Sequence, residues 1–488
     1  MDDINESLAR VPSGVKGLDE VLRGGFIKGG LYIVEGAPGT GKTILGNQIC
    51  FNQVKAGKNV LYVTLIAETV ARMLLNLRNM RFFDENAIGT GISYISGFTA
   101  LKDEGLTGLL HLLRREVAAR GAAILVLDGF ASASDSAKSS EELKVFVQQL
   151  QTQADAAGAT VFLLTNPAET RPSSEETMVD GIINMCSSLL ASSSLREFHI
   201  RKFRGSSYME GVHNYQIAED GITIYPRMEM RGGQFRTENG DVQKIASGIP
   251  RLDVLLGGGL PRRSMTMLVG PSGTGKTTVG LQFLSLSSAD EPGLLFGFYE
   301  TPARIRSKAK LFPAFVEGLD TGAIEILWQA PTEHLLDELA DRLIQAVKRR
   351  KVRRLVIDGL AGFKKALRSR PIEPFFAALV EELRGEGVTA ICAAEVAEII
   401  GPTITTPLAG LSDVTDNHIL LRFVEAGANL HRFVSILKVR DSSFDSGLRQ
   451  FSIGMEGIEI DQDSQGAARV LSRQLPNAQQ LEITAGEK

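Results

Sequence analysis

The feature that most constrains this chain is that it contains itself twice. Ser13-Gly14, Leu18-Asp19 and Gly24-Gly25 recur as Ser247-Gly248, Leu252-Asp253 and Gly258-Gly259, each pair 234 positions later. The same offset carries GAPGTGKT (Gly36 to Thr43) onto GPSGTGKT (Gly270 to Thr277). Unrelated segments do not hold one offset across a whole block, so the chain reads as a duplicated domain. Its 488 residues agree, because a single hydrophobic core stops growing at about 250–300 residues. The stretch RGGQFRTENG (231–240) is polar and Gly-rich, as linkers are, and sets the expected domains at 1–236 and 237–488.

Each half alternates short apolar runs with amphipathic helical stretches, the pattern of a mostly parallel sheet covered by helices. GLYIVE, NVLYVTL, AAILVLD and TVFLLTN in the first half are answered by MTMLVG, GLLFGFYE, RRLVID and VTAICAAE in the second. The expected fold is therefore α/β, with two tandem RecA-like P-loop domains.

In each copy the Gly-rich octapeptide follows an apolar strand and precedes a helical stretch, the context that gives this motif its meaning. Gly36, Gly39, Thr40, Gly41, Lys42 and Thr43, and likewise Gly270, Gly273, Thr274, Gly275, Lys276 and Thr277, are the expected nucleotide-binding residues. Backbone N–H groups of such a loop wrap phosphates and the lysine reaches the outer ones. The hydroxyls of Thr43 and Thr277 are expected to ligate Mg²⁺ together with Asp128 and Asp358, which end the apolar runs ILVLD and RLVID. Hydrolysis of ATP also wants a carboxylate to polarise the attacking water. Glu68 and Glu300 each follow a strand and precede a threonine, 26 residues after Lys42 and 24 after Lys276. The competing reading of both is a solvated glutamate favoured by a helix N-terminus.

Late in each half stands a second basic signal, Lys202-x-Arg204 and Lys438-x-Arg440. Residues two apart in a strand point to one face, so each pair presents two cations side by side. A solvated strand edge is the bland account. Recurrence in both halves favours stabilisation of charge on a phosphoryl group.

Composition bounds the rest. A net charge of −4 gives no global footprint for nucleic acid. No run of about 18 apolar residues could span a bilayer, and the acidic, polar start MDDINESLARVPSG lacks the apolar core of a signal peptide. Cys50, Cys186 and Cys392 are too few and too scattered for a disulfide framework and read as buried small hydrophobes. A cytoplasmic protein is expected.

These residues carry a resemblance. From about Val11 to Phe451 the chain resembles the KaiC family of double-domain RecA-superfamily ATPases, which includes a cyanobacterial circadian clock protein. The resemblance implies a homohexamer of two stacked rings with ATP between neighbouring subunits. Lys202, Arg204, Lys438 and Arg440 would then reach the neighbour's γ-phosphate, and the repeated leader would serve packing. It also implies an autokinase in the second ring, but two departures put that activity in doubt. Where the clock protein pairs two glutamates, this chain has Ala67-Glu68 and Tyr299-Glu300. In the segment of the adjacent serine and threonine phosphosites, LSDVTDNHILL aligns Ser412 with the serine and Asp413 with the threonine. Ser412 and Thr415 are the remaining candidate acceptors, and any kinase is expected to be weak.

The tail from about Asp463 reads as weakly structured, and the resemblance makes it a candidate docking site for a regulatory protein. Two other functions share the fold. A DNA-acting motor or recombinase would show basic, aromatic-bearing loops. The chain offers one tryptophan, Trp328, and one basic cluster, KRRKVRR (348–354), expected at the exposed end of a helix. A nucleotide-dependent assembly scaffold is the other alternative.

Overall fold

In a computed structural model, the structure describes residues 8–65, 69–167, 174–190, 193–232, 243–330, 334–367, 370–396, 410–426, 429–440, 442–454 and 457–472. The chain divides into two compact units that meet between Arg231 and Gly232. The expected boundary at 236/237 lies outside the described residues.

The first unit is built on one nine-stranded sheet. Its strands are β1 (Leu31–Gly36), β2 (Val60–Thr64), β3 (Ile92–Ser96), β4 (Ile124–Asp128), β5 (Thr160–Thr165), β6 (Gly181–Leu190), β7 (Ser193–Phe203), β8 (Val212–Ala218) and β9 (Gly221–Tyr225). Their spatial order is β3-β2-β4-β5-β1-β6-β7-β8-β9. The run from β3 to β6 is parallel, and β7 to β9 continue it antiparallel. The second unit repeats this order with β10 (Met265–Gly270), β11 (Gly293–Gly297), β12 (Ile324–Trp328), β13 (Arg354–Asp358), β14 (Thr389–Glu395), β15 (Asn417–Ala426), β16 (Asn429–Val439), β17 (Arg449–Gly454) and β18 (Gly457–Ile460). Its order is β12-β11-β13-β14-β10-β15-β16-β17-β18. All eight apolar runs read from the sequence are these strands.

The sequence of β1 explains why such runs are continuously apolar. Leu31 and Ile33 pack into a core on one face of the sheet with Leu61, Leu125 and Leu163. Tyr32 and Val34 pack into a second core on the other face with Tyr62, Val126 and Phe162. A strand buried on both faces favours apolar side chains at nearly every position, with polar ones such as Glu35 near its carboxyl end. The same alternation runs through β2, β4 and β5.

The repeated leader is a packing device. The Asp19 carboxylate accepts from the amides of Ser13 (2.7 Å) and Gly14 (3.0 Å), and Asp253 accepts from Ser247 (2.8 Å). Gly25 and Gly259 adopt φ of 108° and 114°. A Cβ there would stand 2.5 Å from Val11 O and 2.4 Å from Ile245 O. No other residue fits either position.

Two expectations are corrected. The tail opens as a helix, Gln465–Ser472, because Ala467 and Val470 close a small core over Val424, Ala426 and Phe433. Cys50 and Cys392 are buried, but Cys186 is exposed. It lies where β6 runs on past the covered part of the sheet, among exposed Ser187 and Ser188. Among the described residues, no helix is long and apolar enough to cross a membrane.

Candidate nucleotide sites

The phosphate loops leave the carboxyl ends of the central strands β1 and β10, between strands that run on to either side, where parallel α/β sheets hold ligands. Each loop enters a helix, α1 (Lys42–Lys55) or α2 (Lys276–Leu284). Gly41 and Gly275 precede these helices with φ of 97° and 107°. A Cβ at either would stand 2.6 Å from Ile217 Cδ1 or 2.7 Å from Ile453 Cδ1, contacts those side-chain tips could relieve, so it is the positive φ that calls for glycine. The first helical bonds run from Leu45 N–H to Gly41 O and from Val279 N–H to Gly275 O. The amides before them stand outside the helical ladder, available to an anion at the positive end of the helix dipole.

The lysines are parked on loop carbonyls. Lys42 Nζ donates to Gly36 O (2.5 Å) and Ala37 O (3.2 Å), and Lys276 Nζ to Gly270 O and Pro271 O (both 2.7 Å). Burial pulls both ammoniums below their ordinary pKa; Asp128 opposes this at Lys42, and Glu395 with Asp358 at Lys276. A polyphosphate gives each half-buried cation a stronger partner than a neutral carbonyl.

Thr43 Oγ1 donates to Asp128 Oδ2 at 2.9 Å, and Thr277 Oγ1 approaches Asp358 Oδ2 at 3.4 Å. Hydroxyl and carboxylate thus converge beside the loop in both units, as a hydrated Mg²⁺ would need. Burial raises the Asp358 carboxyl above its ordinary pKa, and the Glu300 charge adds to the effect.

Glu300 precedes Thr301, whose side chain caps the helix Pro302–Lys308. One of its carboxylate oxygens pairs with Lys308, while Oε2 is buried without a hydrogen-bond partner. Thr69 caps Val70–Leu77 in the same way, but Glu68 itself lies outside the described residues. Tyr299 is exposed, under Lys365 and against Gly359.

The K-x-R lysines stand on interior strands, but beyond the residues of β7 and β16 that pair with β8 and β17, and each arginine follows the end of its strand. β7 lies between β6 and β8, and β16 between β15 and β17. Lys202 Nζ donates to Glu176 O (2.8 Å) and Thr177 O (3.2 Å), and Arg204 to Thr177 O (3.0 Å). Lys438 Nζ donates to Ser412 O (2.6 Å) and Thr415 O (2.8 Å), and Arg440 to Asp413 O (3.3 Å) and Asp416 Oδ1 (3.5 Å). Glu176, Thr177, Arg201, Lys202 and Arg204 line a shallow cleft of about 400 Å³.

Ser412 is partly exposed, with Oγ 3.5 Å from Asp413 Oδ1. Thr415 is fully buried and donates to Leu411 O at 2.8 Å, with His418 Nε2 at 2.7 Å. A phosphate could reach it only after local opening.

Sequence reasoning missed four neighbours of the loops. Asn166 Oδ1 stands 3.5 Å from Lys42 Nζ, and at the matching end of β14 the second unit has Glu395. Tyr62 OH donates to Asp128 Oδ2 (2.7 Å) and Tyr215 OH to Thr40 O (2.6 Å). The aligned ends of TVFLLTN and VTAICAAE carried the signal for the first pair.

Four of the basic cluster's six cations pair with carboxylates. Lys348 pairs with Glu382 and Glu386, Arg349 and Arg350 with Glu325, and Arg354 with Glu291.

The family model described as "ATPase: KaiC" matches this chain twice, over residues 11–229 and 245–465. The chain belongs to the KaiC ATPase family. Among its relatives is the circadian clock oscillator protein KaiC of Parathermosynechococcus lividus, 24% identical over 96% of this chain and 89% of the relative. KaiC of Synechococcus elongatus is 24% identical over 96% and 92%. KaiC 1 of a Synechocystis species is 22% identical over the same shares.

Proposed function

We propose that this KaiC-family ATPase binds ATP with Mg²⁺ at two sites per chain and hydrolyses it in a ring-shaped homohexamer, serving signalling or circadian-type timing. The observation that carries the reading is the duplicated parking of cations. Lys42 and Lys276 rest on loop carbonyls, and Lys202, Arg204, Lys438 and Arg440 rest on carbonyls outside their own unit's loop, Arg440 also on the Asp416 carboxylate. Cations held chiefly by neutral carbonyls are ready to exchange them for phosphate oxygens, and the second set has no work at its own loop. A neighbour's γ-phosphate gives it work.

Within each site the loop amides and Lys42 or Lys276 bind the phosphates. Thr43 with Asp128, and Thr277 with Asp358, would hold Mg²⁺, which supplies charge neutralisation on the phosphoryl oxygens. Glu68 and Glu300 orient the attacking water and accept its proton. The autokinase reading is a weak one, with Ser412 ahead of Thr415 because Thr415 is buried. A regulator at the C-terminal tail and a cytoplasmic setting belong to the same reading.

Nucleotide bridging two subunits drives assembly by mass action. Light scattering of the pure protein with a slowly hydrolysed ATP analogue and Mg²⁺ tests this. A sixfold mass supports the reading, and a monomer at saturating nucleotide contradicts it.

A further inference from the structure

Both units carry a β-bulge one residue before the lysine of the K-x-R pair. In the first unit Ile182 faces Lys202 and Ile183 faces Ile200, which leaves Arg201 as the extra residue. In the second, His418 faces Lys438 and Ile419 faces Ile436, which leaves Leu437. A bulge re-aims a side chain, and the two units use it differently.

Arg201 is turned onto two carboxylates. Its Nη1 donates to Glu35 Oε1 (2.9 Å) and Glu176 Oε1 (3.2 Å), and its Nη2 to Glu176 Oε2 (2.9 Å). Glu35 is 3% exposed and precedes Gly36, whose carbonyl Lys42 holds. Glu176, also buried, offers its backbone carbonyl to Lys202. A continuous chain of contacts therefore runs from phosphate loop through Glu35, Arg201 and Glu176 to Lys202. In the second unit the corresponding positions are Val269, Leu437 and Ser412, and Leu437 is half exposed.

We propose that Arg201 is a positioning residue for hydrolysis in the first ring: through Glu176 it fixes Lys202 and Arg204 for the neighbour's phosphate and ties that face to its own subunit's phosphate loop. The inference rests on the reading in which the K-x-R pairs act across the subunit interface. A bidentate guanidinium clamp has the rigidity the task needs, since a displacement of about 1 Å at a charge-stabilising group costs up to about 100-fold in rate. The hydrogen bonds to Glu176 and then Glu35 outweigh burial and keep the guanidinium ionised. Val269, Leu437 and Ser412 cannot form such a clamp, so among the described residues the second unit's K-x-R pair has no counterpart of it.

Complementation tests this, with the second site silenced throughout by Lys276→Ala. Arg201→Met subunits keep a working loop but present a mispositioned face; Lys42→Ala subunits have a dead loop but an intact face. The clamp predicts about tenfold or greater loss of kcat for Arg201→Met alone, with KM for ATP within about threefold. Mixed with Lys42→Ala subunits, its turnover per working loop should rise at least about threefold. Lys202→Ala mixed with Lys42→Ala is the control. If the control recovers and the Arg201→Met mixture does not, the proposal falls and the interface reading stands. If neither recovers, both fall. Should Arg201→Met fail to fold, Glu35→Val/Glu176→Ser/Arg201→Leu copies the second unit's own residues and must show the same loss and recovery. Normal kcat in that variant also overturns the proposal.

Discussion

Replacing Glu300 by Gln removes one negative charge and almost no volume, so it separates chemistry from structure. The Lys308 pair it breaks is exposed, 53% on the lysine side and 25% on the glutamate side, and such pairs contribute at most about 1 kcal/mol. The other oxygen, Oε2, makes no hydrogen bond that could be lost. Removing a general base costs about 10²–10⁴ in rate, or roughly 3–5 kcal/mol of barrier at 1.36 kcal/mol per decade. The assay is phosphate release in a Lys42→Ala background, so that only the second site turns over, with thermal unfolding run in parallel. We expect kcat to fall by about 100-fold or more, KM to stay within about threefold and the unfolding midpoint to move by no more than a few degrees. Binding of Mg²⁺-nucleotide should also extend to lower pH, because the Glu300 charge helps burial to raise the Asp358 carboxyl. Near-normal turnover would refute the assignment. Glu395 acts on Lys276 together with Asp358, and Glu395→Gln would then be the variant that stops the site.

Three further outcomes are expected. Glu68→Gln in a Lys276→Ala background should cost about 10² or more in turnover while nucleotide binding and assembly persist, measured by phosphate release and light scattering. His418 is held below its ordinary 6.5 by burial and then by Lys438, with Asp416 opposing, so the unfolded chain takes up its proton first. Its contribution to stability is full above about 6.5 and is lost as pH falls through that value toward the folded one; His418→Gln should flatten the loss in urea midpoints between about pH 7.5 and 5.5. Mass spectrometry after incubation in ATP should find phosphate at Ser412 only at low occupancy, because Asp413 already places an anion within 3.5 Å of its hydroxyl.

How much of this was legible depended on whether a residue's task imposes a pattern. The phosphate loops declare themselves because Gly41 and Gly275 hold a positive φ that L side chains rarely adopt. Asp128 and Asp358 declare themselves as polar ends of apolar strands. The leader repeats because its aspartates must satisfy the amides of Ser13, Gly14 and Ser247. Asn166 and Glu395 occupy equivalent strand ends with different chemistry, so duplication alone does not reveal them. Tyr62 and Tyr215 look like core aromatics and are, apart from one hydroxyl each. Arg201 was hidden by the bulge, since period-two reading puts it on the opposite face from Lys202 and gives no hint of Glu35, 166 residues away. The docked helix Gln465–Ser472 was missed because its short apolar stripe makes sense only against Phe433, on a strand that the sequence does not bring near it.

The central claim is that both phosphate loops are working ATP sites. Steady-state phosphate release from the wild type, Lys42→Ala, Lys276→Ala and the double variant tests it most directly. Each single variant should keep the other site's activity, and the double variant should fall to background. Undiminished hydrolysis in the double variant, or a single variant that alone abolishes all turnover while nucleotide still binds the other site, would contradict it.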